Sequence, residues 1–566
     1  MRRTLPLVVM ILAVLAPAAG ARAADEPPPF GESIDVRVVN VEAVVTDRAG
    51  NRVTGLKPGD FRLRVDGKEV PIEYFSEVQA GQALAAQPAE AGKAEGGSAV
   101  PGLTEGRIGT YYLVFIDEYF LIAANRDVVL KGIKADLGRL GPDDRMAIVS
   151  YDGGRLAMLS NWSGSPADLA RALDQAMARR SLGGLRRGEH VTELNDQAFA
   201  DEASSGDGDS LPQAALPAGL TDIQRAYAKN LIRQVKGDVQ AAVSTMRAFA
   251  APHGRKVMLL VSGGWPFSVA SYIGSPSPLP TKELTDGEDL FRSLTSTANL
   301  LGYTLYPVDA PGVQSGAVDI NDAAPEMVKA PSRTTTNVVT TGLPGDPGLS
   351  SPAEQEIEGS LKYLAQETGG KPLLNTNRTL ALSTAREDTR SFYWLGFSPG
   401  WKHDDKIHTV KLETSRSDLK VRTRSGFLDL SRKAEVSMRV ESALLFGNPP
   451  GALQMPLKVG AVTRGKRGET EIALTLGLPV DIMTVVPEGT RYDAKLELRF
   501  AASDADGNNS EIPIVPVDLT SDHPPTPGKV VRYDTKIRLR GKADHLVVAV
   551  YDPLSGKIAT AETDVK

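Results

Sequence analysis

The sequence of 566 residues predicts a multidomain protein in which a doubly wound α/β domain lies between two all-β modules. Apolar strand patterns alternate with helical patterns in its middle part, and strand patterns alone precede and follow that part. The chain is also longer than a chain that folds around a single hydrophobic core. We expect an N-terminal β module at residues 33–78, a linker at 79–105, the α/β domain with trailing β hairpins at 106–430, and a C-terminal β-sandwich at 433–566.

The first strand of the predicted parallel sheet is the apolar run at residues 111–117, which ends on Asp117. A nearly continuous apolar run is typical of a strand that helices cover on both faces. Ligands of open α/β sheets bind at the carboxyl ends of the strands. Asp117 is therefore the first candidate for a functional residue.

Helices and strands alternate after this strand. Helices are predicted at residues 125–140, 166–179, 221–250, 289–301 and 354–368, and strands at 145–151, 156–159, 256–261 and 303–308. Polar stretches interrupt the pattern at 181–217 and 311–352, and the second of these is rich in Pro, Thr, Ser and Gly, which favours disorder.

The all-β parts are predicted from short strand patterns with turn signals between them. Asp47 to Asn51 and Asp66-Gly67 are turn signals of the N-terminal module, because Gly and Asn accept positive φ angles. After residue 391 the strand patterns at 392–397, 407–413 and 419–423 extend the α/β sheet or pack on it. From residue 431 onward we expect strands only, as in a β-sandwich.

The N-terminal sequence indicates an exported protein. Residues 1–23 combine a basic start, a short apolar core and a small-residue cleavage pattern, which is typical of a signal peptide, with a retained N-terminal anchor as the alternative.

The formal charge is −6, and a mildly acidic protein has no general electrostatic reason to bind nucleic acid or an anionic membrane. The sequence has no Cys, which excludes disulfides, thiol catalysis and thiolate zinc sites.

Several motifs occur together in the predicted α/β domain and beside it. They are YLVFID at residues 112–117, LGPDDRMAIVSY at 140–151, RKVMLLVSGG at 255–264, LAQETGG at 364–370, VTGLKPGDF at 53–61 and YWLGFSP at 393–399. With these motifs residues 33–430 resemble the secreted bacterial VWFA-related family of acidobacterial type, whose central domain is a von Willebrand factor type A domain. The resemblance implies a Rossmann-like fold and an interaction function.

The resemblance also implies a divalent metal at the carboxyl edge of the sheet, held by an Asp-x-Ser-x-Ser motif, a loop Thr and a later Asp. Asp117 keeps the first carboxylate, but Tyr119 and Leu121 stand at the two hydroxyl positions and Ser262 stands where the later Asp is expected. Thr192 is the candidate for the loop Thr. The motif is degenerate, and we predict neither a metal nor another cofactor.

Other candidate residues belong to the same sheet edge. Glu118 and Asp152 could form a carboxylate cluster with Asp117, although a cap of a helix or loop is the more ordinary role. Ser262, Gly263 and Trp265 could form a ligand loop, although such a Trp more often packs under its own loop. His403 and His408 are predicted in a solvated turn, and no catalytic sequence motif is present.

We therefore predict a secreted or periplasmic, non-enzymatic protein of protein-binding or adhesion type. The predicted contact residues are Asp117, Glu118, Tyr119, Asp152, Ser262, Gly263 and Trp265. The partner is a protein, with no nucleic acid and no stable membrane insertion after signal cleavage. The alternative is a hydrolase with a metal or carboxylate centre around Asp117.

Overall fold

The computed structural model describes residues 9–10, 38–84, 87–88, 106–190, 192, 222–250, 255–273, 287–310, 352–401, 404–447, 453–464, 469–504, 510–540 and 544–565. The chain divides into two compact units. The first unit is residues 38–429, and the second is residues 430–566 together with 1–37.

The strand β1, Val9–Met10, belongs to the second unit, and the helices and strands of the first unit are numbered along the chain after it. The strands are β2 Val39–Thr46, β3 Phe61–Val65, β4 Lys68–Val70, β5 Tyr74–Gln79, β6 Gln82–Ala83, β7 Gln87–Pro88, β8 Gly106–Arg107, β9 Thr110–Asp117, β10 Arg145–Tyr151, β11 Leu156–Ser163, β12 Arg255–Ser262, β13 Tyr303–Asp309, β14 Phe392–Phe397, β15 Ile407–Thr414, β16 Lys420–Arg422 and β17 Gly426–Leu428. The helices are α1 Ala123–Asp136, α2 Pro166–Met177, α3 Asp222–Ala248, α4 Val269–Tyr272, α5 Glu288–Leu301, α6 Pro352–Glu367 and α7 Ala381–Thr389.

A mixed five-stranded sheet positions the candidate site. Its strand order is β11-β10-β9-β12-β13, in which β9, β10, β12 and β13 run parallel and β11 pairs antiparallel at the edge. The register aligns Tyr151 with Asp117 and Ser262 with Asp309. The last residues of these four strands therefore share one edge of the sheet.

Helices lie against both faces of this sheet. On one face, Val114 and Ile116 of β9 join a core with Leu130 of α1, Leu173 of α2 and Leu382 of α7. Successive side chains of a strand point to opposite faces, so the buried Leu113 and Phe115 belong to the other face. There α3 contacts β9 and β10, and α5 and α6 contact β13.

The first unit also contains two antiparallel sheets built from both of its ends. One sheet has the order β16-β2-β14-β5-β6-β8, with β7 beside β5, and the other has the order β17-β15-β3-β4. A shared core, including Val41, Leu63 and Leu395, lies between them. The strands after residue 391 thus pair with the N-terminal strands, whereas the sequence analysis expected them to extend or cover the α/β sheet.

The second unit contains the remaining elements. They are β1 Val9–Met10, α8 Arg432–Phe446, β18 Leu457–Arg464, β19 Glu469–Pro479, β20 Val486–Glu488, β21 Arg491–Ser503, β22 Ile514–Ser521, β23 Val530–Arg540, β24 His545–Tyr551 and β25 Ile558–Asp564. One sheet has the order β1-β23-β19-β18, and the other has the order β20-β21-β24-β25 with β22 beside β21. Leu474, Leu498, Ile537 and Val548 contribute to the core that the two sheets share.

The helix α8 differs from the prediction that this unit contains strands only. Ser431 caps its first turn by accepting a hydrogen bond from the Ala434 backbone N–H at 3.2 Å. Val440, Ala443 and Leu444 of the helix pack against Ala501 of β21 and against Val547 and Ala549 of β24.

Several predicted segments lie mainly outside the described residues, namely the linker at 79–105 and the polar stretches at 181–217 and 311–352. Within the predicted signal peptide, β1 pairs with β23 through Val9 and Leu539. No helix in the described part of the chain is long and apolar enough to cross a membrane.

Candidate functional site

Asp117 ends β9 with a carboxylate that is 0 % exposed and accepts four hydrogen bonds. One oxygen, Oδ1, accepts from the backbone N–H groups of Tyr119 and Phe120, both at 3.1 Å. The other, Oδ2, accepts from the Ser262 hydroxyl at 2.7 Å and from the Trp265 indole N–H at 2.9 Å. Burial raises the pKa of Asp117, and these donors act in the opposite direction because they stabilise the ionised form.

The loop after β12 supplies two of these donors. The Ser262 hydroxyl also accepts from the Gly264 backbone N–H at 3.2 Å, which fixes the turn. Gly263 lies against the loop after β9, because a Cβ atom at this position would stand 1.9 Å from the Phe120 carbonyl oxygen. Trp265 is 1 % exposed and stacks on Phe291 of α5 with 6.3 Å between ring centroids. Hydrogen bonds therefore fix this loop to Asp117, and the Trp265 side chain of the loop is buried at the sheet edge.

Glu118 is also buried, and its partner is a buried cation. The Arg126 guanidinium of α1 donates to Glu118 Oε2 at 2.6 Å and to the carbonyl oxygens of Arg179 and Met177. Burial raises the pKa of Glu118 to about 7, although the charge of Arg126 acts in the opposite direction. Arg126 therefore ties α1 to the loop after β9 through Glu118 and to the end of α2 through the two carbonyl oxygens.

Tyr119 and Asp152 lie farther out, at intermediate exposure. The Arg186 guanidinium stacks over the Tyr119 ring at 4.7 Å from its centroid. Asp152 Oδ1 accepts from the backbone N–H groups of Gly154 and Arg155 at 3.0 and 2.8 Å. Asp152 thus caps its own turn and is not hydrogen-bonded to Asp117.

Asp238 of α3 is a site residue that the sequence analysis missed. Its side chain is 0 % exposed, no protein donor reaches either carboxyl oxygen, and the protonated carboxyl can donate to the neighbouring Asp117 carboxylate. Burial and the negative charge of the neighbouring Asp117 raise the pKa of Asp238 well above its usual range. The protonated form of Asp238 is therefore favoured in the folded protein. The available signal was a carboxylate between Val235, Val239 and Ala242 on the buried face of an amphipathic helix.

The hydroxyl of Ser150 is another unpartnered buried group near the end of β10. Its neighbour Tyr151 pairs in register with Asp117, and burial together with the neighbouring carboxyl groups of Asp238 and Asp117 raises the pKa of the Tyr151 phenol. The carboxyl edge of the sheet therefore buries several polar groups, among which Asp117 has donors on both of its carboxylate oxygens.

The residues at this edge do not fit the magnesium site that the resemblance implies. Leu121 is buried in the apolar core, and Thr192 is exposed with its hydroxyl donating to the Gly188 carbonyl oxygen. The indole N–H of Trp265 points at Asp117 Oδ2, where a cation would need a free lone pair. Mg²⁺ requires near-octahedral oxygen ligands and several waters, and the buried donors occupy that space.

The predicted contact residues thus separate into two groups. Asp117, Glu118, Ser262 and Trp265 are buried, and the backbone of Gly263 lies against another loop, so these residues hold the edge loops together. Tyr119 and Asp152 remain partly accessible. Arg155 in the Asp152 turn is exposed, and so is Leu185, which precedes the Arg186 that stacks on Tyr119.

Comparison with known proteins gave no match to any protein-family model or curated protein. A search of solved structures found the vWF domain of the type V pili tip protein Mfa5 from Porphyromonas gingivalis, at 16 % identity and a TM-score of 0.15. That similarity covers 28 % of this chain and 38 % of the other.

The same search found the three N-terminal domains of Mfa5, at 10 % identity and a TM-score of 0.24. This second similarity covers 90 % of this chain and 79 % of the other.

Proposed function

We propose that this chain is an exported, non-enzymatic protein of adhesion type, which binds another protein through loops at the carboxyl edge of a von Willebrand A-like domain and needs no divalent metal there. That domain occupies residues 106–430, and residues 1–23 direct export to the periplasm or the cell exterior. The mature chain then begins near Ala24.

The strand order supports a doubly wound, von Willebrand A-like domain. Counted from β9, the five strands lie in the order third, second, first, fourth, fifth, which is the order of a doubly wound sheet. Ligands of such sheets bind where the order reverses, between the first and fourth strands. Asp117 ends the first strand and Ser262 ends the fourth.

The observation that carries the proposal is the saturation of Asp117 by four protein donors. A carboxylate that serves a metal or a reaction needs a free oxygen facing solvent or substrate. Here the carboxylate holds the loops after β9 and β12 in place. The buried residues of the site therefore hold the surface loops in fixed positions.

The contact surface in this proposal is the Tyr119 patch, defined as Tyr119, Asp152, Arg155 and Leu185. Leu185 is 40 % exposed, although it is a large apolar residue. The loop of Asp152 packs against Tyr119, because a Cβ atom on Gly153 would stand 2.2 Å from the Tyr119 ring. An accessible aromatic residue with apolar and charged neighbours is typical of a protein-binding surface.

Capture of a partner by the full mature chain from envelope extract tests the proposal. We expect one captured protein to be retained in EDTA and its affinity to fall at least tenfold when Tyr119→Ala and Leu185→Asp are combined. Arg139→Glu, an exposed change in the turn before the amino end of β10, is the matched control and should leave capture intact.

Two results would contradict the proposal. One is capture that the Tyr119 patch variant leaves unchanged. The other is a hydrolytic activity of the full chain that Asp117→Asn abolishes, which would favour the hydrolase alternative.

A further inference from the structure

We propose that Asp404, His408 and Asp429 of the first unit form a binding site for Zn²⁺, separate from the edge of the α/β sheet. One imidazole nitrogen and two carboxylate oxygens of these residues all lie within 4.8 Å of one another. Asp404 precedes β15, His408 lies within it and Asp429 follows β17.

The position of His408 contradicts its prediction as a residue of a solvated turn, whereas His403 lies outside the described residues. His408 is only 8 % exposed. Its ring lies between the rings of Trp401 and Phe427, at centroid distances of 4.7 and 5.2 Å. The imidazole is therefore held in one orientation.

Asp66 determines which ring nitrogen of His408 carries a proton. His408 Nδ1 lies 2.7 Å from Asp66 Oδ2 and donates its proton to that carboxylate. The other nitrogen, Nε2, faces Asp404 Oδ1 at 3.2 Å. In the neutral ring two lone pairs would meet there, so a positive charge is required between them, either a second proton or a metal ion. A carboxylate that orients the distal nitrogen is the usual outer partner of a zinc-binding His.

The separation of two of the three ligand atoms agrees with zinc geometry. Ligand atoms at about 2.1 Å from a tetrahedral Zn²⁺ are separated by about 3.4 Å, close to the 3.2 Å between His408 Nε2 and Asp404 Oδ1. Imidazole with carboxylate ligands suits Zn²⁺ and neighbouring transition metals, whereas Mg²⁺ and Ca²⁺ prefer oxygen ligands alone.

Backbone hydrogen bonds to the segment before β15 place Asp429 at this site. Its N–H donates to the Lys406 carbonyl oxygen at 3.0 Å, and its own carbonyl oxygen accepts from the Asp405 N–H at 2.9 Å. The Trp401 indole N–H orients the side chain by donating to Asp429 Oδ2 at 2.9 Å. A divalent ion would balance the charges of Asp404 and Asp429 and tie the start of β15 to the end of the first unit.

Zinc binding by the full chain tests the proposal. The protein is stripped with EDTA, dialysed against ZnCl₂ and analysed for zinc content, and its affinity is titrated against a competing chelator. We expect stoichiometric zinc that depends on Asp404, with Asp404→Asn weakening binding at least a hundredfold. Asp66→Asn should weaken it about 10- to 100-fold, which is typical for an outer partner of a zinc ligand. Both residues are partly exposed, so these variants should fold.

The matched control is His545→Gln, which removes a histidine with a single carboxylate partner, Asp564, at 3.0 Å. This variant should bind zinc as the wild type does. Failure of the wild type to bind zinc, or equal binding by Asp404→Asn, would overturn the proposal. So would ¹⁵N spectra that show protons on both His408 ring nitrogens in the presence of zinc, since these would identify an imidazolium between Asp66 and Asp404.

Discussion

At the residue scale, the buried Asp117 carboxylate depends on donors that are distant in sequence. Two of them come from the end of β12, namely Ser262, and from the loop after it, namely Trp265, and β12 pairs with β9 only in the folded sheet. The position of Asp117 at the end of a buried strand could be predicted from its apolar neighbours. Its side-chain donors Ser262 and Trp265 and the nearby Asp238 could not, because they come from two segments that are distant in sequence.

Removal of one donor should measurably destabilise the first unit. Trp265→Phe keeps an aromatic ring but removes the hydrogen bond to Asp117, and we expect a loss of about 1.5 to 3 kcal/mol, as for hydrogen bonds to charged groups. Trp394→Phe is the matched control, because the indole N–H of Trp394 is buried without a partner. Denaturant unfolding measures both variants, and equal losses would contradict the assigned role of the Trp265 N–H.

The protonated state of Asp238 gives stability a defined pH dependence. Because its folded-state pKa is raised above the unfolded value of 3.8, the protonated carboxyl contributes stability that is complete below that value. This contribution is lost as the pH rises through the folded-state pKa. Asp117 and Tyr151 face Asp238 from the sheet, and the cation Arg186 acts in the opposite direction.

Asp238→Asn resembles the protonated acid, so we expect its melting temperature to exceed that of the wild type by an amount that increases with pH. Asp174→Asn, an exposed change on α2, should stay within about 0.5 kcal/mol of the wild type at each pH. A difference between Asp238→Asn and the wild type that shrinks as the pH rises would contradict the assignment.

At the scale of elements, local patterns predicted most of the helices and strands of the described chain. The strands at 145–151 and 392–397 agree with their predicted bounds, and Asp66-Gly67 forms the predicted turn with φ angles of 49° and 77°. The helix α8 was missed because Val436, Met438 and Val440 alternate with polar residues as in a strand. The spacing of Val436, Val440 and Ala443 is helical, and Ser431 was the cap signal.

The packing of α8 can be tested within the full chain. Val440 is fully buried against the sheet of β21 and β24, so Val440→Ala should destabilise the second unit by about 2 kcal/mol. Arg439→Ala on the exposed face removes an ion pair with Glu435 and should cost about 0.3 to 0.5 kcal/mol. Hydrogen exchange of β21 and β24 measures both effects, and similar losses would contradict the packing.

At the scale of the whole molecule, strands from the two ends of the first unit pair with each other. β14 lies between β2 and β5, and β15 pairs with β3. The sequence could not predict this pairing, because it joins strands more than 300 residues apart whose own patterns fit several partners.

A truncation tests this pairing of the terminal strands. We expect residues 38–429 to fold and residues 106–429 to aggregate, because β14 would lose both of its neighbours and expose its edges. A cooperative, monomeric unfolding transition of the shorter fragment would contradict the shared core.

The central claim is that protein donors, and not a magnesium ion, satisfy Asp117. The most direct test is the melting temperature of the chelator-stripped full chain with and without millimolar Mg²⁺. A ligand at a hundredfold excess over its dissociation constant would stabilise the folded state by about 2.7 kcal/mol. We expect no change in the wild type or in Asp117→Asn. A rise of several degrees with Mg²⁺ in the wild type, absent in Asp117→Asn, would contradict it.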